Sequence, residues 1–272
     1  MKKYKKIEVS ILENYVATVE INSPPLNFFD VEMIMEIGDA LETLDKDKKC
    51  RAVVLCAKGK VFCAGANFGD GSNSNNSLGG AAGDDGEPPT FSSNAVHLYT
   101  QALRLFRTAK PIVGAIHGAA VGGGLGLALV PDFRVSCDAA RFSANFSQLG
   151  IHPGFGLTYT LPQVIGKQNA NLLFLSGRRL KGSEAQEMGL VDVLVAQDKV
   201  RSAAIELAEE LASAAPLAVV SIRETMRAGM ADAVEKATQR ELKEQSWLID
   251  TSDATEGMKS VSERRKGEFT SS

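Results

Sequence analysis

The sequence has few of the residues that most often bind metals or carry redox chemistry. It contains three histidines, one tryptophan and four cysteines in 272 residues. No Cys-x-x-Cys pair or Cys/His ligand spacing occurs, which excludes a zinc-finger-like site and a dithiol redox motif and predicts no metal site. We therefore expect reduced, mostly buried thiols at all four positions. These are Cys50, Cys56, Cys63 and Cys137.

The chain also lacks an excess of charge of either sign. It has 30 Lys and Arg against 33 Asp and Glu, for a net charge of −3. This balance gives no general electrostatic reason to bind nucleic acid or a membrane surface. The basic start, MKKYKK, is followed by IEVSILENY, which alternates like a strand and contains two glutamates, so no secretory apolar segment is expected. A cytoplasmic location follows as a prediction.

The most informative segment that is present is rich in glycine. Residues 111–132, PIVGAIHGAAVGGGLGLALVPD, contain six glycines among aliphatic side chains, where a predicted strand runs into a helix. Glycine allows the backbone to approach a ligand closely, and the N–H groups of a first helical turn have no intrahelical acceptor. Such N–H groups favour negative charge, so the segment predicts a site for an oxyanion or a phosphate.

Three other interpretations compete for this segment. Gly114, Gly118 and Gly122 have the small-xxx-small spacing of membrane helix contacts, but alanine and glycine rather than leucine make up the bulk of the run. A nucleotide phosphate loop would need Gly-Lys-Ser/Thr, and a dinucleotide site a third glycine, and both are missing. The glycines can also serve only close packing between a helix and a strand.

Periodic patterns divide the first two thirds of the chain into alternating strands and helices. Residues 6–22 alternate as the two strands of a hairpin, and residues 30–48 have apolar side chains at helical spacing after Asp30, a favoured N-cap. Further strands are predicted at 51–57, 112–117, 132–137, 141–146 and 191–195, and further helices at 94–109, 161–176 and 183–188.

Two segments differ from this alternating pattern. Residues 69–89 are a Gly, Ser, Asn and Asp tract with almost nothing to bury, which predicts a loop that is either a lid or plain disorder. Residues 198–272 have the pattern of four amphipathic helices. A helical section of this size has a small core and favours packing on a neighbour. We therefore divide the chain into a core at 1–197 and a helical oligomerisation region at 198–272.

Five motifs, in order along the chain, resemble the crotonase (enoyl-CoA hydratase/isomerase) superfamily. They are VFCAGANF at 61–68, GAAVGGGLGLALVPDF at 118–133, LGIHPGFGLTYTLPQVIG at 149–166, SGRRLKGSEAQEMGLVD at 176–192 and EGMKSVSERRKGEF at 256–269. The resemblance implies an α/β fold, a spiral of ββα repeats with a helical C-terminal trimerisation region, as a homotrimer or a dimer of trimers. It implies an acyl-CoA or pantetheine-bound acyl thioester as ligand, and no cofactor other than the coenzyme A of the substrate.

The matching motif positions also imply a set of site residues. The backbone N–H groups of Ala66 and Gly123 would form an oxyanion hole for the thioester carbonyl, where charge collects as an enolate forms. Arg264 would meet a CoA phosphate, although cations near a helix C-terminus also complement its dipole. The resemblance places further substrate contacts at Ala64, Asn67, Phe68, Gly122, Asn145 and Phe146.

The chain departs from the family pattern at the acidic positions. Hydratases of this superfamily use two glutamates, and the matching positions here are Gly126 and Phe146. Gly154 stands where the dehalogenase branch has an aspartate. None of these residues can transfer a proton, so hydration by paired carboxylates is not expected.

Two other residues could take part in proton transfer or binding. His152, in GIHPG, is the first candidate, because histidine is the side chain most often used for general acid/base catalysis, while a loop histidine bonded to backbone is an equal alternative. Tyr99 lies where some relatives place a group beside the substrate, but its helical spacing with Leu103 favours a core position.

The string FSANFSQLGIHPGFGLT also resembles the branch that decarboxylates carrier-bound acyl thioesters in polyketide β-branching. Decarboxylation depends mainly on enolate stabilisation, so a hole without glutamates would suffice. The sequence thus leaves three alternative functions. They are lyase or isomerase chemistry on an acyl-CoA, this decarboxylation, and acyl-CoA binding without catalysis.

Overall fold

The computed structural model describes residues 3–67 and 91–272, apart from the side chains of residues 91, 92 and 94. The loop predicted at 69–89 and the candidate contact Phe68 lie outside the described residues. The strands are β1 Ile7–Ile11, β2 Val16–Ile21, β3 Ala52–Ala57, β4 Ile112–Ile116, β5 Ala119–Val121, β6 Phe133–Ser136, β7 Arg141–Ser143, β8 Arg179–Lys181 and β9 Val193–Leu194. The α-helices are α1 Val31–Lys46, α2 Phe91–Phe106, α3 Gly123–Ala128, α4 Leu157–Ser176, α5 Gly182–Glu187, α6 Val200–Ser213, α7 Pro216–Met226, α8 Met230–Leu248 and α9 Ser252–Ser262.

Two sheets organise the described chain. The larger has the order β1-β2-β3-β4-β6-β9 and the smaller the order β5-β7-β8. The predicted hairpin is confirmed, since β1 and β2 pair antiparallel, and the other pairs of the larger sheet are parallel. Strands β2, β3 and β4 are buried throughout, as the central strands of a parallel sheet covered on both faces should be.

The helix predicted after Asp30 is also confirmed. The Asp30 carboxylate accepts a hydrogen bond of 2.9 Å from the Met33 N–H, which satisfies one of the donors left open at the start of α1. One face of α1 is buried in the core through Ile34, Ile37 and Leu41. The cap and the apolar spacing together explain why the sequence predicted this element well.

The glycine-rich segment does not form a continuous helix. Residues 112–130 are divided among β4, β5 and the six-residue α3, so the membrane-helix interpretation of this segment is wrong. Within 3–67 and 91–272, no helix combines the length and hydropathy needed to cross a bilayer.

The C-terminal helices pack on the rest of the chain. The small side chains of Ala204, Ala208 and Ala212 are buried, and they let α6 lie against β3, β4 and β6. Helix α8 packs on α2 and α4, and α9 packs on the 3-10 turn Asn145–Leu149. The boundary drawn at 197/198 falls within the 3-10 turn Gln197–Lys199, and the division into two regions stays an interpretation of the sequence.

A buried ion-pair cluster fixes α7 to the sheet. The Asp132 carboxylate accepts hydrogen bonds of 2.8 Å from Arg223 Nε, 2.9 Å from Arg227 Nη1 and 2.8 Å from the Ile112 N–H. The second arm of Arg223 donates to the Thr108 carbonyl. A single carboxylate at the start of β6 thus holds two arginines of the helical region.

Candidate active site

The segment at 63–66 meets strand β5 by backbone contact at the edge of the smaller sheet. The Cys63 N–H donates to the Ala119 carbonyl at 3.0 Å, and the Val121 N–H donates to the Cys63 carbonyl at 3.1 Å. This isolated parallel bridge places residues 63–66 beside the glycine triplet at 122–124. The two motifs that the sequence singled out are therefore neighbours in space.

Glycine is required at this junction for two separate reasons. Gly65 has a φ of +83°, and a Cβ built there would lie 2.6 Å from the Val121 carbonyl and 3.3 Å from the Gly123 nitrogen. A Cβ on Gly124 would overlap the Cys63 carbonyl, although its φ is not positive. Close packing therefore explains Gly124, while Gly65 also needs a backbone conformation that L side chains rarely adopt.

The amides of Ala66 and Gly123 have no acceptor in the described part of the chain. The Gly122 N–H donates to Ser143, while the N–H groups of Leu125 and Gly126 return to the Gly122 carbonyl. Gly123 is the first residue of α3, where an N–H has no intrahelical partner. Because α3 has only six residues, the amide itself rather than a large helix dipole is the main attraction for an anion.

Ala66 and Gly123 both line one cavity of about 200 Å³. Seven of the predicted site residues line it: Ala64, Ala66, Asn67, Gly122, Gly123, Asn145 and Phe146. The rest of the wall is mostly aromatic and aliphatic, formed by Phe28, Phe29, Leu98, Leu149, Phe155, Met258 and Val261. A mostly apolar cavity with a few polar groups and two backbone donors is typical of a binding site for a small organic group.

Two predicted site residues do not line this cavity. The Nδ1 atom of the half-buried His152 is 2.9 Å from the Pro153 carbonyl, so the ring faces its own loop. Arg264 is exposed after the end of α9, and its N–H donates to the carbonyl of the cavity residue Val261 at 3.2 Å. Arg264 is thus close in sequence to a cavity residue, and the His152 carbonyl accepts a hydrogen bond from the cavity residue Gln245.

The place of one missing glutamate is filled by an aromatic ring. A Cβ built on Gly126 would lie 2.8 Å from Cδ1 of Phe155. The Phe155 ring in turn packs against Phe29, with 5.5 Å between the ring centroids. At the other glutamate position, Phe146 is only 5% exposed and forms part of the wall. Aromatic packing therefore replaces both acidic groups.

We expect Gly126→Glu to lower the free energy of unfolding by at least about 1–3 kcal/mol, because the added side chain is forced against the Phe155 ring. Urea denaturation of the single and double variants measures this. In a Phe155→Ala background the same substitution should be at least about 1 kcal/mol less destabilising, since neighbouring sites couple. Equal effects in both backgrounds would show that Phe155 does not occupy the position.

Tyr99, which the sequence placed either beside the substrate or in the core, is buried and lines the same cavity together with Gln245, which the sequence did not indicate. Tyr99 on α2 donates a 2.7 Å hydrogen bond to Oε1 of Gln245 on α8, and both residues are buried. Burial raises the pKa of Tyr99 above its usual value, so the phenol stays neutral. One feature of the sequence could have indicated Gln245. The buried positions of α8 recur at helical spacing, and three of them carry polar residues: Thr238, Glu241 and Gln245.

Glu241 stabilises the loop that shapes this wall. Its fully buried carboxylate accepts hydrogen bonds of 2.7 Å from the Gly156 N–H, 2.8 Å from the Thr158 N–H and 2.6 Å from the Thr158 hydroxyl. Burial raises the pKa of Glu241. The carboxylate is not part of the cavity wall, so its contacts indicate a structural role.

Cys63 lies in the junction between the two loops but has no nucleophilic character. Burial raises the pKa of its thiol to about 12, so it remains protonated at neutral pH. All four cysteines are free and buried, as the sequence predicted.

The chain is similar to known proteins over most of its length. The family model for enoyl-CoA hydratase/isomerase matches residues 12–272. A probable enoyl-CoA hydratase of Mycobacterium tuberculosis, EchA14, is 35% identical over 229 residues, which cover 84% of each chain. The 1,2-epoxyphenylacetyl-CoA isomerase of Escherichia coli is 28% identical over 96% of this chain and 97% of its own.

The fold is found in solved structures as well. The crystal structure of an enoyl-CoA hydratase/isomerase from Pseudoalteromonas atlantica superposes with a TM-score of 0.82 at 28% identity, covering 98% of this chain and 100% of the other. The spiral α/β architecture expected from the five motifs is thereby confirmed. The chain belongs to the enoyl-CoA hydratase/isomerase family of the crotonase superfamily.

Proposed function

We propose that this protein is an enzyme that binds an acyl-CoA thioester and polarises its carbonyl between the Ala66 and Gly123 amides. Ala66 and Gly123 line one mostly apolar cavity, and the N–H of each has no acceptor in the described chain, which together support this proposal. Membership of the family supports an acyl-CoA substrate.

In this proposal the two amides act on the charge that develops during reaction. Transfer of a proton from the carbon next to a thioester carbonyl to a water molecule, or loss of carbon dioxide from that carbon, leaves an enolate, whose negative charge collects on the carbonyl oxygen. Fixed donors stabilise this oxygen most strongly when the charge has formed, which lowers the barrier rather than only tightening binding. The apolar walls exclude water and strengthen the interaction.

The described side chains favour isomerisation, or a lyase reaction other than hydration. No carboxylate lines the cavity among the described residues, because Gly126, Phe146 and Gly154 occupy the acidic positions of relatives. Paired carboxylates cannot then activate a water molecule. The similarity to a relative named 1,2-epoxyphenylacetyl-CoA isomerase supports isomerisation.

Decarboxylation of a carrier-bound acyl thioester is the second candidate. A cavity with two unpaired backbone donors and no described carboxylate favours it, since carbon dioxide leaves without a general base. The carrier would be a pantetheine arm rather than free CoA. Acyl-CoA binding without catalysis is a third possibility, because function depends on the site rather than the fold.

A panel of acyl-CoA and acyl-pantetheine thioesters, followed by mass spectrometry, tests the proposal. We expect a product that is an isomer of a supplied thioester or has lost a small group from it. Release of carbon dioxide from a malonyl-type thioester would favour decarboxylation. Binding without product would leave a binding protein, and the absence of any binding would contradict the proposal.

Mutation can test whether His152 takes part in proton transfer. Because its ring contacts the Pro153 carbonyl and does not line the cavity, we expect His152→Ala to lower turnover by less than about threefold. General acid or base catalysis would give a loss of about 10² to 10⁴. Steady-state rates on a responsive substrate distinguish the two, and a loss in the higher range would return His152 to the catalytic group.

We propose that Arg264 contacts a CoA phosphate. Its neighbour Arg265 is engaged with Glu256 and Glu263, whereas Arg264 is exposed beside the cavity residue Val261. An exposed guanidinium suits a phosphate, which it can bind through two parallel hydrogen bonds.

We also propose a homotrimer or a dimer of trimers. Several large apolar side chains of α4 and α7 are exposed, among them Leu175 at 80%, Leu217 at 85% and Met226 at 81%. Exposed apolar surface of this kind favours burial against a second copy. Light scattering distinguishes these assemblies from a monomer.

A further inference from the structure

Part of the cavity wall is polar, and its assignment to a group of the substrate rests on the proposed function. Tyr99 and Gln245 come from different helices, α2 and α8, and meet at the wall of a cavity that is otherwise mostly apolar. Burying a hydroxyl and an amide is unfavourable unless their hydrogen-bonding groups are satisfied. Any donor or acceptor of this pair that has no partner in the protein therefore indicates which hydrogen-bonding group a bound ligand should carry.

The hydrogen bonds of Gln245 leave one donor unused. Its Oε1 accepts from the Tyr99 hydroxyl, and its Nε2 donates to the His152 carbonyl at 2.9 Å. A primary amide carries two N–H groups. The second N–H of Gln245 has no acceptor within 3–67 or 91–272.

The absence of a side chain at Gly154 leaves space for this pair. A Cβ built on Gly154 would overlap the Tyr99 hydroxyl and lie 2.7 Å from Gln245 Nε2. The φ of Gly154 is not positive, so its backbone conformation does not require glycine. The missing side chain is therefore explained by the space that the two polar groups occupy.

A second polar group lies on the same wall. Asn145 Oδ1 is buried and has no hydrogen-bond donor among the residues that the structure describes, and Asn145 lines the cavity. An unsatisfied buried oxygen is unfavourable in an empty cavity and becomes favourable when an occupant supplies a donor. The wall thus offers both a free donor and a free acceptor to a ligand.

We propose that Tyr99, Gln245 and Gly154 form a subsite for an oxygen atom carried by the acyl group of the substrate. Gln245 donates its free N–H to this oxygen, and Tyr99 holds the amide in the orientation that points the N–H into the cavity. The preferred substrates are then acyl thioesters with a hydroxyl or carbonyl group on the acyl chain, rather than plain alkyl chains.

Matched ligands test the subsite directly. Isothermal titration calorimetry would compare butyryl-CoA with 3-hydroxybutyryl-CoA and 4-hydroxybutyryl-CoA on the full-length protein. We expect at least one hydroxylated ligand to bind about three- to tenfold more tightly than butyryl-CoA, the gain that one additional hydrogen bond gives. Equal affinity for all three would overturn the proposal.

Three variants should remove the preference. Gln245→Met lacks the donor, Tyr99→Phe releases the amide, and Gly154→Ala displaces the Tyr99 hydroxyl. In each, the hydroxylated ligand should bind within about twofold of butyryl-CoA measured on the same variant, so the ratio of the two affinities is the readout. Tyr15→Phe removes the same hydroxyl from a residue that is 44% exposed and not part of the cavity wall, and should keep the preference.

The outcomes separate this inference from the proposed function. If butyryl-CoA binds but the preference survives in both Gln245→Met and Tyr99→Phe, the subsite assignment is wrong and the acyl-CoA site stands. If no CoA thioester binds, both fail together. Circular dichroism establishes whether each variant is folded. If Gln245→Met does not fold, Tyr99→Phe, which keeps the aromatic ring, provides the test instead.

Discussion

Ala66→Pro is expected to lower kcat by about 10²- to 10³-fold, equivalent to about 3–4 kcal/mol of transition-state stabilisation. Proline has no N–H, so the substitution removes one of the two proposed donors to the thioester oxygen. The Gly123 amide would remain and should sustain residual activity. Steady-state kinetics on the responsive thioester measures the loss.

Position 66 offers a cleaner test than position 123. A Cβ on Gly123 would overlap the Phe29 ring, so Gly123→Pro would disturb the cavity wall as well as remove a donor. Ala66 is half-buried at the wall, and its N–H has no acceptor in the described chain. The Ala66→Ser control changes the side chain but keeps the amide, and should retain activity within a few-fold. Full activity in a folded Ala66→Pro protein would mean that this amide stabilises no charge.

The second large effect is expected on stability. Asp132→Ala should lower the free energy of unfolding by about 3–5 kcal/mol, because it leaves two buried guanidinium groups without their counter-charge. The side chains of Arg223 and Arg227 are 8% and 13% exposed, so water cannot replace the carboxylate easily. Urea denaturation followed by circular dichroism measures the change.

A matched control is available in the same chain. Asp198 is 76% exposed and lies 3.9 Å from Lys199, so Asp198→Ala should change stability by less than about 1 kcal/mol. If Asp132→Ala were as mild as this control, the cluster would not fix α7 to the sheet.

The sequence predicted the backbone of the site better than its side chains. Ala66 and Gly123 could be predicted because each lies next to a glycine that the backbone requires. Gly65 has a positive φ and Gly124 packs against another segment, and such required glycines form a motif that can be recognised in the sequence. Asp30 and the apolar spacing behind it predicted α1 for a similar local reason. Features encoded within a few residues could thus be inferred.

Long-range features could not be inferred in the same way. Strands β5 and β8 have only three residues each, too few to show an alternating pattern, and their pairing partner β7 is distant in sequence. Gln245 reaches Tyr99 across 146 positions, and only the folded packing of α8 on α2 brings them together. The Phe155 ring over Gly126 is also invisible in the sequence, because a glycine does not reveal what covers it.

The most direct test of the central claim is isotope-edited infrared spectroscopy of a bound acyl-CoA labelled with ¹³C at the thioester carbonyl. If the Ala66 and Gly123 amides both donate to this oxygen, the carbonyl stretch should shift to lower wavenumber than in water, and Ala66→Pro should reverse part of the shift. A carbonyl stretch that is the same in the wild-type complex, in the Ala66→Pro complex and in water would contradict the account.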